Sequence, residues 1–208
     1  MSPQRLLIAT TNPNKRREIQ ALLAGEAVDL VDLTAFHAVE EPEETGETFQ
    51  DNSRLKATYY DRVLGTLAGP ASVTVAEDSG LVVDALDGDP GVRSARFLRP
   101  DATYPERFAE VYRRLAERPD APRTARFVCA LTAVSQGAVV FETTGVVEGE
   151  IAPAPRGTDG FGYDPIFFYP PYGRTLAEVT GEEKRLVAHR GYAFRALAAW
   201  LRRGAAAR

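Results

Sequence analysis

"IATTNPNKRREIQ", residues 8 to 20, begins where the apolar run Leu6 to Ile8 meets a polar knot and then a charged stretch with helical spacing. The apolar run reads as a buried strand to Thr10, followed by a helix from about Pro13 to Leu23. Asn12 suits the N-cap and Pro13 the first helical position. Ile19, Leu22 and Leu23 make an apolar stripe opposite Arg16, Arg17 and Glu18, and Gly25 closes the helix. A strand handing over to a helix at the start of the chain points to an α/β fold. The knot itself, Thr10, Thr11, Asn12, Pro13, Asn14 and Lys15, has two readings. One is a capped turn. The other is an anion site, in which helix N–H groups and the helix dipole act with the Asn12 amide and the Lys15 charge. Neither a Walker A loop nor a strand-linked G-x-G-x-x-G is present.

Further along, "VDLVDL" predicts a short second strand and "EEPEETGET" an acidic loop. A longer helix is expected from about Glu47 to Leu64, with Phe49, Leu55, Tyr59, Tyr60 and Val63 as its apolar positions. "SVTVA" predicts a strand that ends at "EDSG", and "DGDPGVRSARF" is a loop rich in turn formers. "PERFAEVYRRLAER" is a helix. "RTARFVCALTAVS" and "AVVFETTGVVEGEI" are β-like and meet at Gln136-Gly137, as an antiparallel hairpin requires. "APAPRGTDGFGYDP" is a long irregular loop of the kind that carries function. "TLAEVTGEEKRLVAHRG" suggests a short helix and a second beginning near Gly181. The last helix should bury Phe194, Leu197, Ala198 and Leu201. No repeat or linker interrupts residues 1 to 208, which read as one α/β domain around a mixed sheet with flanking helices.

Composition narrows the function classes. The 208 residues suffice for a sizeable core, and the apolar (44%) and charged (26%) fractions are those of an ordinary globular chain. No apolar stretch approaches a membrane span, and "MSPQRLL" has no signal-peptide apolar region, so a cytoplasmic protein without membrane association is expected. A net charge of −4 argues against a general nucleic-acid binder. The lone Cys129 excludes an internal disulfide and, set in the apolar "ARFVCALTAV", reads as a small hydrophobe. With only His37 and His189, a histidine-built zinc site is not expected. Among 25 basic residues only Lys15, Lys56 and Lys184 are lysines, and the only asparagines are Asn12, Asn14 and Asn52. Against an arginine-rich background, a lysine marks a place where a compact ammonium on a flexible stem is wanted.

Other motifs carry chemistry. "VAEDSG" puts Glu77, Asp78 and Ser79 together, and adjacent carboxylates can hold Mg²⁺ or position and deprotonate a water. An acidic turn is the plainer reading, as a solvated face is for the Glu40–Glu44 run. "DGFGYDP" offers Phe161 and Tyr163 between glycines and ahead of Asp164, a loop that could stack on a base and accept from ring N–H groups. "EEKRLVAHRG" sets Lys184 and the His189-Arg190 pair at a helix edge. Together these features describe a site for a nucleoside polyphosphate and a metal.

In "TTNPNK", "AEDSG", "GFGYDPIF" and "AHR", in that order, together with "ETGETFQDNSRLKA" and "GDPGVRSARF", nearly the whole chain resembles the inosine triphosphate pyrophosphatase family. The resemblance implies Mg²⁺-dependent hydrolysis of the noncanonical purine triphosphates ITP, dITP and XTP to the monophosphate and pyrophosphate. It also implies an elongated α/β fold with two lobes around an active-site cleft, and a homodimer. Carried over, Thr10 to Lys15 would hold the triphosphate. Asp78 would be the general base and a metal ligand, with Glu44 and Glu77 assisting around the ion. Ser79 would contact substrate, and Phe161, Gly162, Tyr163 and Asp164 would enclose and read the base. Lys184 would contact substrate, and His189 and Arg190 would lie near the purine oxygens. Thr11 and Asn14 stand where many relatives have small or glycine residues, and Ala188 replaces a serine. Two other readings are a pyrophosphatase for pyrimidine or modified nucleotides and a non-catalytic nucleotide-binding module.

Overall fold

Leu6, Leu7 and Ile8 are fully or almost fully buried, because the strand that carries them is covered by packed side chains on both faces. In the computed structural model, which describes residues 3–36, 39–69 and 72–206, β1 (Gln4–Ile8) pairs in parallel with β2 (Val28–Asp32) and with β3 (Val73–Val83). The sheet continues through β4 (Thr124–Ser135), β5 (Ala138–Ile151), β6 (Phe167–Tyr169) and β7 (Arg174–Thr175), in the order β2-β1-β3-β4-β5-β6-β7. β6 runs antiparallel to both β5 and β7, so the sheet is mixed and the class is α/β. Five α-helices accompany it among the described residues: α1 (Pro13–Leu22), α2 (Phe49–Ala68), α3 (Tyr104–Ala116), α4 (Gly181–Val187) and α5 (His189–Ala206). No helix among the described residues is long and apolar enough to cross a membrane.

The chain packs into two compact units. The first comprises Met1–Asp78, Cys129–Gly145 and Arg190–Arg208; the second comprises Ser79–Val128 and Val146–His189. Within the first unit, strand alternation sends successive side chains to opposite faces. Leu6, Ile8, Val73 and Val75 pack with Ile19 of α1 and Phe194 and Leu197 of α5. Leu7, Ala9 and Ala76 pack instead with Ala57, Tyr60 and Leu64 of α2. Gln136 and Gly137 both adopt positive φ (53° and 78°), the geometry of a two-residue hairpin turn. Asp61 of α2 accepts from the Gly137 N–H at 2.8 Å and from the Thr74 hydroxyl at 3.0 Å, fastening that turn to β3. Within the second unit, α3 lays Phe108, Val111 and Leu115 against Leu81, Phe127, Val147 and Phe167.

Three expectations are corrected. The "EDSG" residues lie inside the eleven-residue β3 and do not follow its end; buried partners on both faces let the polar stretch continue the strand. The buried stripe of α2 is Asn52, Ser53, Ala57, Tyr60, Asp61, Leu64 and Ala68, while Val63 is 40% exposed. Buried polar residues with partners displaced the purely apolar reading. "TLAEV" forms no helix: Thr175 belongs to β7, and Leu176 continues the pairing by donating its N–H to the Phe167 carbonyl at 3.0 Å.

Candidate active site

The knot before α1 folds as capping chemistry dictates. The Asn12 side-chain oxygen accepts from the N–H groups of Asn14 (2.9 Å) and Lys15 (3.2 Å), while the Asn12 N–H donates to Thr10 Oγ1 at 3.2 Å. The cap therefore already occupies two of the helix N–H groups that a phosphate would use. What the segment offers an anion is side-chain chemistry: the Thr10 and Thr11 hydroxyls, the Asn12 amide and the Lys15 ammonium. Pro13 holds the entry to the helix, and Asn14 accepts from Arg17 at 3.0 Å.

Lys15 leads to the centre of the first unit. Its Nζ lies 3.2 Å from Oε1 of Glu77, a side chain only 1% exposed. Arg190, at the start of α5, donates to the same Oε1 from Nε (3.1 Å) and Nη2 (3.0 Å), and to Glu18 Oε2 from Nη1 (2.6 Å). The Cys129 thiol faces Glu77 Oε2 at 3.6 Å. Burial, followed by the Glu77 charge, holds that thiol well above its usual range and makes it unreactive.

The next residue, Asp78, faces the other way, because adjacent strand residues point to opposite faces. Its Oδ1 is 2.9 Å from Lys56 Nζ, its Oδ2 accepts from Asn52 Nδ2 at 3.4 Å, and Lys56 also reaches Glu44 Oε1 at 2.7 Å. Glu77 and Asp78 thus enter two separate ion-pair groups. Burial raises the Asp78 carboxyl above its ordinary value despite Lys56 and Lys15, and Glu44 adds repulsion. Lys56 is lowered by burial, but two carboxylates share its one ammonium, so its pKa stands at about 12. Asn52 and Lys56 are one turn apart on α2 and so present the same face to Asp78. Gly46 lets the preceding loop close on that face, since a Cβ there would lie 2.7 Å from Asn52 Oδ1. Among the described residues no three His, Cys, Asp or Glu side chains cluster as a ready-made metal cage. Glu44 and Asp78 nevertheless converge on one cation, and two carboxylates suit an ion that takes its remaining ligands from water and substrate phosphates.

In the second unit, the loop before β6 folds around Asp164. Its Oδ2 takes the Phe161 N–H at 2.8 Å and the Lys184 ammonium at 2.5 Å, with both side chains buried. Lys184 also stands 4.8 Å from the centroid of the half-buried Phe161 ring. Gly160 has φ +72°, and a Cβ there would sit 2.1 Å from Asp164 Oδ2, so only glycine allows this closure. Gly162 repeats the positive φ (68°) and turns Tyr163 inward. Tyr163 packs in the core, donates its hydroxyl to the Ser94 carbonyl at 3.0 Å and meets Tyr104 edge-on. Thr180 and Glu183 form a capping box that starts α4 and sets Lys184 at its place. His189 is buried, its ring stacked on Phe127 with centroids 4.9 Å apart. Ser79 is half-buried in β3. His37 lies outside the described residues.

Several expected residues therefore come together as groups: Lys15 with Glu77, Glu44 with Asp78, and Phe161 with Asp164 and Lys184. His189 and Arg190, neighbours in sequence, belong to different units, and the Arg190 guanidinium rests on carboxylates. Sequence reasoning assigned no role to Glu18 or Asn52, left Lys56 without a task and read Cys129 as a small hydrophobe, which its full burial bears out. The scarcity of lysine and asparagine was the signal for Lys56 and Asn52. Nothing local marked Glu18, which meets Arg190 across 172 positions of sequence.

Residues 6–200 match the model of the Ham1 family. The chain is 40% identical over 197 residues to a dITP/XTP pyrophosphatase of Exiguobacterium sibiricum, covering 95% of this chain and 96% of the relative. It is 42% identical over 203 residues to the dITP/XTP pyrophosphatase of Shigella flexneri, covering 97% and 100%. The solved structure of a HAM1 protein from Coxiella burnetii superposes with a TM-score of 0.86 at 37% identity, covering 96% of this chain and 99% of that one. With the match running through nearly all of both chains, this protein belongs to the Ham1 family.

Proposed function

We propose that this chain hydrolyses noncanonical purine nucleoside triphosphates (ITP, dITP and XTP) to the nucleoside monophosphate and pyrophosphate. Residues 1–208 would act as one nucleotide pyrophosphatase domain. The observation that carries the reading is Asp78, a buried carboxylate held by Lys56 beside Glu44, in a chain whose relatives are named dITP/XTP pyrophosphatases.

Hydrolysis of a phosphoanhydride asks for charge neutralisation and a placed water more than for covalent work by the protein. Lys15 and the Thr10–Asn14 segment take the triphosphate. Asp78 accepts a proton from the water whose oxygen attacks the α-phosphorus, the bond to the bridging oxygen breaks, and pyrophosphate leaves. Burial keeps Asp78 basic enough for this work. Mg²⁺ fits the donor chemistry of Glu44 and Asp78, and when bound would neutralise phosphate charge. Lys56 holds both carboxylates in register.

The second unit supplies base recognition. Phe161 offers a stacking face, Asp164 and Lys184 set that ring's place, and Ser79, Gly162, Tyr163 and His189 shape the surroundings. Donors facing the 6-oxo group favour hypoxanthine and xanthine, because adenine's amino group leaves each donor unpaired at about 1–3 kcal/mol. A homodimer working on the free nucleotides of the cytoplasm, with no nucleic acid or membrane partner, completes the proposal.

Pyrophosphate release from ITP, dITP, XTP, ATP, GTP and pyrimidine triphosphates, with and without Mg²⁺, tests it. The expected result is Mg²⁺-dependent turnover with kcat/KM for ITP or XTP at least about 10-fold above ATP. Equal rates across the panel, a pyrimidine preference, or no hydrolysis would overturn it.

A further inference from the structure

Phe161 stands between two glycines, and each of them closes against a side chain. On one flank a Cβ at Gly160 would meet Asp164 Oδ2, the oxygen that also takes the Phe161 N–H at 2.8 Å. On the other flank a Cβ at Gly162 would lie 3.6 Å from Oη and 3.8 Å from Cε1 and Cζ of Tyr104, the first residue of α3. The loop thus leans on the phenol edge of Tyr104 through bare backbone. Tyr104 is itself held on several sides. Its ring meets Tyr163 edge-on with centroids 5.4 Å apart, Phe108 lies 6.1 Å away, and the Arg107 guanidinium covers it at 5.0 Å from the centroid. Arg107 is the unexpected part. It is 4% exposed, yet among the described residues it forms no ion pair. Its Nε donates to the Phe97 carbonyl and its Nη2 to the Pro100 carbonyl, both at 3.2 Å. A buried cation without a carboxylate is destabilising, and an apolar side chain would fill the same space more favourably. What the charge adds here is a directed attraction to the Tyr104 ring and a tie from α3 to the segment before it.

We propose that Tyr104 is a positioning residue for the base-stacking ring: with Arg107 behind it, it holds the Gly162 turn so that Phe161 presents its face before a nucleotide arrives. This rests on the function proposed above. Gly162 has φ +68° and no side chain of its own to pack, so the turn keeps many conformations unless a neighbour restricts it. Asp164 restrains Phe161 at its own N–H, and Tyr104 restrains the residue that follows, so the ring is held from both ends. A loop ordered in advance has less conformational freedom to lose when the base binds. Burial raises the Tyr104 hydroxyl above its ordinary range, so it stays neutral and acts by shape, with no proton passing through it.

Tyr104→Ala removes the support, Tyr104→Phe keeps the ring, and Arg107→Met keeps the bulk without the cation. In Tyr104→Ala the KM for ITP and ATP should rise together by about 10-fold, with kcat within about 3-fold of wild type. Tyr104→Phe should stay within about 3-fold of wild type in both, and Arg107→Met should fall between the two. Binding of inorganic tripolyphosphate, a probe with no base, should be unchanged in all three. In a Phe161→Ala background, Tyr104→Ala should cost less than about 3-fold, because the two residues act on one contact. An unchanged KM in folded Tyr104→Ala would overturn the proposal. So would additive losses in the double variant, or tripolyphosphate binding weakened as much as the KM is raised, which a merely structural tyrosine would give. If Tyr104→Ala does not fold, Arg107→Met carries the same comparison. Amide exchange at Phe161, measured without ligand, should be faster in Tyr104→Ala and normal in Tyr104→Phe. Equal exchange in both overturns the proposal. If the wild-type protein hydrolyses no triphosphate, the functional reading fails separately, and the exchange measurement then decides the role of Tyr104.

Discussion

Asp78 and Lys56 form an ion pair at 2.9 Å, and the lysine extends it to Glu44 at 2.7 Å. One ammonium thereby stands between the two carboxylates best placed to serve a metal and a water. Asp78→Asn keeps the shape and can still accept from Lys56, so the fold should persist while turnover falls by at least about 10²-fold. Lys56→Met is the contrasting change. It leaves two carboxylates facing each other without their shared cation and should lower stability by about 3 kcal/mol, read by urea denaturation. Near-wild-type hydrolysis in folded Asp78→Asn would remove it as the general base.

Lys15→Ala separates binding from folding. An ammonium reaching only into solvent would leave stability untouched, but the Lys15 side chain is 17% exposed and lies on Glu77. Because Arg190 keeps Glu77 paired, the loss should be no more than about 1 kcal/mol, while KM for triphosphates rises at least about 10-fold. A loss of several degrees in Tm with full activity would make Lys15 structural.

Asp164 closes the loop of the second unit by accepting from both Lys184 and the Phe161 N–H. Asp164→Asn retains an acceptor but strips Lys184 of its buried counter-charge, which should cost about 3 kcal/mol. Amide exchange at Phe161 should then speed up well before global unfolding. Unchanged exchange would show that the loop does not depend on this pair.

Phe161→Ala addresses the stacking face alone. Stacking tolerates any base, so kcat/KM should fall for ITP and ATP together, by about 10-fold, with their ratio kept within a few-fold. A selective loss of ITP would mean that the ring takes part in telling the bases apart.

Acid stability is written into α3. Hydrogen bonds from Arg113 and then Arg114 lower Glu110 from 4.5 to about 2. At the helix start, the Thr103 N–H, followed by Arg99 and the Thr103 hydroxyl, does the same for Glu106. Carboxylates with depressed folded-state values add stability that is fully present above pH 4.5 and lost as pH falls toward about 2. Glu110→Gln should therefore flatten the stability profile in that window and leave its slope near neutrality unchanged. An unaltered acid limb in urea titrations would refute the assignment.

Much of the fold was legible from local signals. Asn12, Pro13 and the stripe at Ile19 define α1 within a residue, because capping and helical periodicity are short-range effects. Gln136-Gly137 set the hairpin, since few residues accept the positive φ that such a turn needs. The family resemblance likewise pointed to Lys15, Glu44, Asp78 and the Phe161–Asp164 loop as the segments to examine. Tertiary structure alone decided what each charge faces. Glu77 and Asp78 are adjacent in sequence, yet strand alternation sends one to Lys15 and Arg190 and the other to Lys56 and Glu44. His189 and Arg190, at the start of a helix, also part, one onto Phe127 and the other onto Glu77 and Glu18. Residue types and local geometry come from neighbours a few positions away. Ion-pair partners come from distant segments that the sheet and its helices bring together, and no short-range rule encodes them.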